Sequence, residues 1–191
     1  MEKNSLNARL FYRFFQKSEE QTEHKAAHAL LSQVLANLYG ISNPRILRDD
    51  HGKPYLPDFP VHFNLSHCSG LVVCAVGNCP LGVDAEKVRP LRERVMGRCL
   101  SPEEIAAVES SPDPDARFFQ HWTLKESYVK AIGVGISYPM KSVTFSWQKG
   151  RIIGSPADWQ FCQFQVQSRW LISCCTPKGC PVSLEGEYPC D

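Results

Sequence analysis

The stretch VHFNLSHCSGLVVCAVGNCPLGVDAEKV, residues 61–88, decides the fold class. Two short strand-like runs, 61–65 and 71–76, lie on either side of a polar turn. LGVDAEKV is a third short apolar run that ends in acids, and it predicts a strand whose C-terminal end carries Asp84 and Glu86. Upstream, residues 24–39 place Leu30, Leu31, Val34, Leu35 and Leu38 at helical spacing on one face. Gly40 closes that helix, and the Pro-, Asp- and Gly-rich RDDHGKPYLPDFP that follows predicts a loop. Downstream, SPEEIAAVES carries Ser101 as N-cap, Pro102 at the first helical position and Glu104 three residues on, a capping box. ARFFQHWTLKESYVKAIG, stopped by Gly133 and Gly135, is the strongest helix, with Asp113 or Asp115 available to cap it. SVTFSW, QFCQFQV and RWLISCCT then alternate or run apolar as strands. Helix-then-strands occurs twice without a low-complexity linker, so the expectation is an α+β chain of two similar halves, 1–81 and 82–191.

Composition narrows the function. The 191 residues hold 21 Lys plus Arg against 20 Asp plus Glu. That balance lacks the basic excess by which proteins neutralise a nucleic-acid backbone, so no nucleic acid is expected as partner. MEKNSLNARLFYRFFQ has no apolar run long enough for a signal peptide, and nothing approaches the length of a membrane span. The nine cysteines include no CxxC and no His/Cys spacing of a zinc site. The expectation is a cytoplasmic protein whose cysteines are reduced, small buried hydrophobes.

Asp84 and Glu86 are two apart, so on a strand both point to one face. Carboxylates held that close repel unless a cation lies between them, and hard oxygen ligands select Mg²⁺ or Ca²⁺. The same pair is equally readable as a solvated strand end. Trp122, Glu126 and Lys130 succeed one another at four-residue spacing along one stripe of the strongest helix. Read blandly, Glu126 and Lys130 are a surface pair beside a core Trp. The apolar flanks leave that helix little exposed surface, so an acid and a base there need partners. Lys53 in the GKP turn suits a phosphate as a point charge, or is a surface lysine. Ser66 and His67 end a strand as hydrogen-bonding groups, and adjacent residues rarely act as nucleophile and base.

Taken in order, GKP (52–54), FNLSH (63–67), GVDAE (82–86) and WTLKESYVK (122–130) followed by Gly133-Val134-Gly135 resemble the signature of surfactin-synthetase-activating 4'-phosphopantetheinyl transferases. The resemblance implies a pseudo-twofold fold of two α/β halves with coenzyme A in the cleft between them. It implies that Asp84, Glu86 and Glu126 hold Mg²⁺, with Mn²⁺ as a substitute. It implies that Lys53, His67 and Lys130 contact phosphates, and that Ser66 and Pro54 line the nucleotide site. Lys25 and His28 are the candidates for the 3'-phosphate. Asp84, Glu126 and Lys130 are the implied catalytic set, with Glu126 as ligand, base or both. The implied reaction moves phosphopantetheine onto a serine of an apo acyl or peptidyl carrier protein and releases 3',5'-ADP, by a monomer. Arg89, Arg92, Arg94 and Arg98, with Val95 and Met96, suit docking of an acidic carrier helix, or form a solvated helix face. Two departures stand out: Cys68-Ser69 after His67, where many relatives have Ser-Gly, and a small Ala85 between the paired acids. The alternatives are a Mg²⁺-dependent coenzyme A pyrophosphohydrolase, for which no helix carries the required R-E-x-x-E-E cassette, and an inactive coenzyme-A-binding module.

Overall fold

The computed structural model describes residues 6–16, 18, 22–91, 93–135 and 137–189. Arg92 of the expected docking set and Cys190 lie outside the described residues. The first sheet contains β1 (Ala8–Phe14), β4 (His62–Cys68), β5 (Leu71–Gly77) and β11 (Val182–Glu187) in the order β11-β1-β5-β4. The second contains β6 (Gly82–Lys87), β9 (Trp159–Val166) and β10 (Trp170–Pro177) in the order β6-β10-β9. Two short hairpins complete the strands: β2 (Leu47–Arg48) with β3 (Pro54–Tyr55), and β7 (Phe145–Gln148) with β8 (Arg151–Gly154). Among the described residues four α-helices accompany them: α1 (Glu23–Tyr39), α2 (Glu93–Cys99), α3 (Pro102–Glu109) and α4 (Pro114–Ile132). The mixed α/β content agrees with the class expected from the sequence.

Every residue of β5 is buried, because both faces of this strand are covered. Val72, Cys74 and Val76 meet Ala27, Leu30, Leu31 and Val34 of α1. Leu71, Val73 and Ala75 meet Val83 and Ala85 of β6 and Ile172 and Cys174 of β10. The order of layers is therefore α1, first sheet, second sheet, α4. Thr22 caps α1 by accepting from the Lys25 N–H, and Gly40, at φ 66°, ends it in the left-handed conformation that glycine adopts without strain. Asp113 caps α4, and Ser101 and Glu104 form the expected capping box on α3.

Gly82 positions the functional face. A Cβ there would stand 2.1 Å from the Ser127 carbonyl oxygen and 2.3 Å from the Ala131 nitrogen. Only glycine lets the backbone of α4 come down onto β6 at this point, two residues before Asp84.

Two features differ from expectation. The N-terminal segment forms strand β1, which pairs antiparallel with β5 and parallel with β11, so the last strand of the chain returns to the first sheet. The cysteines are not all reduced: Cys79 and Cys180 form a disulfide. Both β5 and β11 flank β1, where Ala8 sits opposite Gly77 and Val182, and this places the loops after β5 and before β11 side by side. The six other described cysteines are free, and all but the half-buried Cys162 are buried.

Candidate active site

The site lies where β4, β6 and α4 meet beneath the GKP turn. Asp84 is buried, and its Oδ1 accepts from Lys130 Nζ at 2.7 Å and from Ser66 Oγ at 3.1 Å. Lys130 Nζ also donates to Ser66 Oγ at 3.1 Å. Asp84 Oδ2 is buried with no hydrogen-bond partner. Such an orphaned anionic oxygen is costly unless a cation or donor completes it.

Glu126 stands one helical turn before Lys130. Its carboxyl is pushed up to about 7, first by burial and then by the negative charge of Asp84; Lys130 opposes this and Glu86 adds to it. The same acids reach Cys68, whose thiol is pushed up to about 12 by burial first and then by Glu86 and Asp84. Glu86 itself is turned to Arg89, with Oε2 2.6 Å from Nη1. Among the described residues no group of three His, Cys, Asp or Glu stands closely enough to hold a metal ion. The donor set nevertheless fits a hard divalent cation: one oxygen of Asp84 lacks a partner, and burial and then the charge of Asp84 push the Glu126 carboxyl up to about 7.

A cleft of about 230 Å³ opens beside these groups, lined by Gly52, Lys53, Pro54, Asn64, Glu126 and Lys130 among others. The GKP turn, the strand and the helix, 78 residues apart from Gly52 to Lys130, thus share one cavity. Lys53 does not project into it as a free charge. Its Nζ donates to the Ala131 carbonyl at 2.6 Å and the Leu81 carbonyl at 3.2 Å. His67, Lys25 and His28 do not line this cleft. His67 is on the opposite face of β4, with Nδ1 3.4 Å from Glu23 Oε2 at the start of α1. On the same helix the His24 and His28 rings meet with centroids 4.3 Å apart, tilted by 38°. Burial, then His24 and Arg48, lowers the His28 pKa below the usual imidazole range.

A larger cleft of about 730 Å³, between α3, α4 and the β7–β8 hairpin, shares none of the acids 84, 86 and 126. At its base Glu104 accepts from Lys125 at 2.7 Å, from the Ser101 N–H at 2.9 Å and from the Phe145 N–H at 2.9 Å, and faces His121 Nδ1 at 3.3 Å. Burial alone would raise the Glu104 carboxyl, but these partners hold it below the ordinary carboxylate range. Lys125 also donates to the carbonyls of Met140 and Val143. This buried network fixes the α4 turn that carries Glu126. Sequence reasoning read Glu104 only as a cap and passed over Lys125 and Asn64; the capping box was the one local signal.

Residues 80–184 match the family model described as the 4'-phosphopantetheinyl transferase superfamily. A 4'-phosphopantetheinyl transferase of Bacillus subtilis is 36% identical over 135 residues, covering 68% of this chain and 60% of its own length. The 4'-phosphopantetheinyl transferase gsp of Aneurinibacillus migulanus is 36% identical over 117 residues, covering 59% and 49%. The 4'-phosphopantetheinyl transferase Sfp of Bacillus subtilis strain 168 is 33% identical over 135 residues, again covering 68% and 60%. Among solved structures, the holo-[acyl-carrier-protein] synthase of Thermotoga maritima aligns with a TM-score of 0.45 at 17% identity, covering 52% of this chain and 62% of that one. This chain belongs to the 4'-phosphopantetheinyl transferase superfamily. It spans about 60% of the length of the Bacillus relatives it matches.

Proposed function

We propose that this protein transfers the 4'-phosphopantetheine group of coenzyme A to a serine of an apo carrier protein, with Mg²⁺ and as a cytoplasmic monomer. The observation that carries this reading is Asp84, with a buried oxygen lacking a partner, bonded to Lys130, which with Glu126 and the GKP turn lines the adjoining cleft. Coenzyme A lies between residues 1–81 and 82–191, which are read as pseudo-twofold relatives because each packs a helix against a sheet. Asp84, Glu86 and Glu126 would hold the divalent cation, with Glu86 supplied from its place beside Arg89. The cation supplies charge neutralisation on the pyrophosphate when bound.

The residues of the chain do the rest. Lys130 moves its ammonium from Asp84 to a phosphate oxygen. His67 takes a phosphate at the rim, Pro54 packs on the nucleotide, and Lys25 and His28 take the 3'-phosphate. Glu126 also serves as the base that accepts the proton of the carrier serine. The serine oxygen forms a bond to the β-phosphorus, the bond from that phosphorus to the bridging oxygen breaks, and 3',5'-ADP leaves with the electron pair. No covalent enzyme intermediate forms, so no cysteine is needed. Positioning and electrostatics supply most of the acceleration. The described basic residues Arg89, Arg94 and Arg98, with Val95 and Met96, face an acidic carrier helix.

The test is intact-mass measurement of a panel of apo carrier proteins incubated with the protein, Mg²⁺ and coenzyme A. The expected result is the gain of one phosphopantetheine, abolished by EDTA. Consumption of coenzyme A without an acceptor would instead mark a pyrophosphohydrolase, and bound coenzyme A with neither outcome an inactive binding module.

A further inference from the structure

The seam between the two sheets is built in an unusual way. β6 is hydrogen-bonded along one edge to β10, from Gly82 opposite Cys175 to Lys87 opposite Trp170. Its other edge runs beside β4, yet β4 and β6 belong to separate sheets and form no strand ladder. In an antiparallel strand, the N–H and C=O of alternate residues point to opposite edges. The free edge of β6 therefore presents the backbone groups of Leu81, Val83 and Ala85. These residues are 1%, 0% and 2% exposed, so water cannot satisfy them.

Side chains do so instead, at every second residue. Lys53 Nζ donates to the Leu81 carbonyl at 3.2 Å. Asn64 Oδ1 accepts from the Val83 N–H at 2.8 Å, and Ser66 Oγ accepts from the Ala85 N–H at 3.1 Å. Asn64 and Ser66 are two apart on β4, so they share the face turned to β6 and match its two-residue period. Two of the three groups also reach the functional side chains and α4. Ser66 donates to Asp84 and accepts from Lys130, and Lys53 donates to Ala131 at the end of α4.

We propose that Lys53, Asn64 and Ser66 are positioning residues that replace a strand ladder along the free edge of β6 and so hold Asp84 in register against Glu126 and Lys130. The proposal rests on the functional reading above and departs from the sequence expectation at two points: the polar atoms of Lys53 and Ser66 are committed to the protein. A slip of β6 by one residue would turn Asp84 from the α4 face to the apolar face between the sheets. Lys53, Asn64 and Ser66 thereby serve the acids across the seam, while Pro54 and His67 of the same two motifs serve the nucleotide.

The experiment combines amide exchange by NMR on the full chain with Mn²⁺ titration and steady-state kinetics. In the wild type the Val83 and Ala85 amides are expected to be protected. In Ser66→Ala the Ala85 amide loses protection while Val83 keeps it, and Asn64→Leu gives the converse. Mn²⁺ half-saturation in Ser66→Ala rises by about 10- to 100-fold, as for loss of a group that orients a metal ligand. At saturating metal, KM for coenzyme A stays within about twofold of the wild type while kcat falls, the pattern of a lost positioning contact and not of a lost ligand contact. Ser66→Thr and Asn64→Asp, which keep the acceptor oxygen, restore both readouts. Wild-type protection and Mn²⁺ response in Ser66→Ala, or a change confined to KM for coenzyme A, would overturn the proposal. If Ser66→Ala does not fold, the folded Ser66→Thr decides, since a tenfold loss there is equally fatal. A wild-type chain that binds neither Mn²⁺ nor coenzyme A would overturn the functional reading, while its amide protection still tests the seam independently.

Discussion

Asp84 and Glu126 act on one another through charge, yet their surroundings differ. Asp84 has Lys130 and Ser66 on one oxygen, whereas Glu126 has no comparable partner and is raised to about 7. A folded-state pKa above the unfolded value means that ionised Glu126 opposes folding. Its cost is absent below the ordinary carboxylate range, grows as pH rises, and is complete above pH 7. Glu126→Gln is therefore expected to stabilise the metal-free protein at pH 8 by about 1–2 kcal/mol, less than the full shift because water reaches the carboxyl. The same variant is expected to lose transfer. Denaturant melts at pH 4 and pH 8 check this: the gain at pH 8 must vanish at pH 4, and an equal gain at both would remove the electrostatic explanation.

At the scale of elements, α4 does most to assemble the site, and its approach depends on Gly82. Gly82→Ala puts a methyl group within 2.1–2.8 Å of backbone atoms of Ser127 and Ala131, which no side-chain rotation relieves. The helix must lift from β6, carrying Glu126 and Lys130 away from Asp84. The expected cost is about 3 kcal/mol or more, in the range of overpacking with backbone displacement. Activity should fall further than stability, because small misplacements cost rate steeply. Chemical denaturation with parallel transfer assays measures both; a variant with wild-type stability would show that α4 is free to shift.

Over the whole molecule, the chain closes on itself. β11 returns beside β1, and Cys79–Cys180 ties two loops 101 residues apart in sequence. Cross-linking so long a segment restricts the unfolded chain, and replacing both cysteines by alanine is expected to cost about 2–5 kcal/mol. Reduction with dithiothreitol under native conditions should lower the melting temperature in the wild type and leave the double variant unchanged. A wild type insensitive to the reductant would show that the bridge does not constrain the chain. Neither cysteine takes part in the hydrogen bonds of Asp84, Lys53 and Lys130, so transfer below the melting range should persist in both forms.

The sequence by itself determined the local elements and the chemistry. The apolar stripe of α1, the capping box at Ser101, the Asp113 cap of α4 and the i, i+2 acids at 84 and 86 all follow from spacings shorter than one helical turn or one strand. The order of GKP, FNLSH, GVDAE and WTLKESYVK pointed to the family. Only the tertiary structure decided that residues 8–14 are a strand, since their partners are 57–69 and more than 170 residues away in β5 and β11. It alone brought Cys79 to Cys180, seated Lys53 on the carbonyls of Leu81 and Ala131, and gave Asn64 a donor at Val83. The physical reason is common to all of these: local propensity and side-chain period set an element, but a buried donor's partner depends on which edges the packed layers leave unpaired.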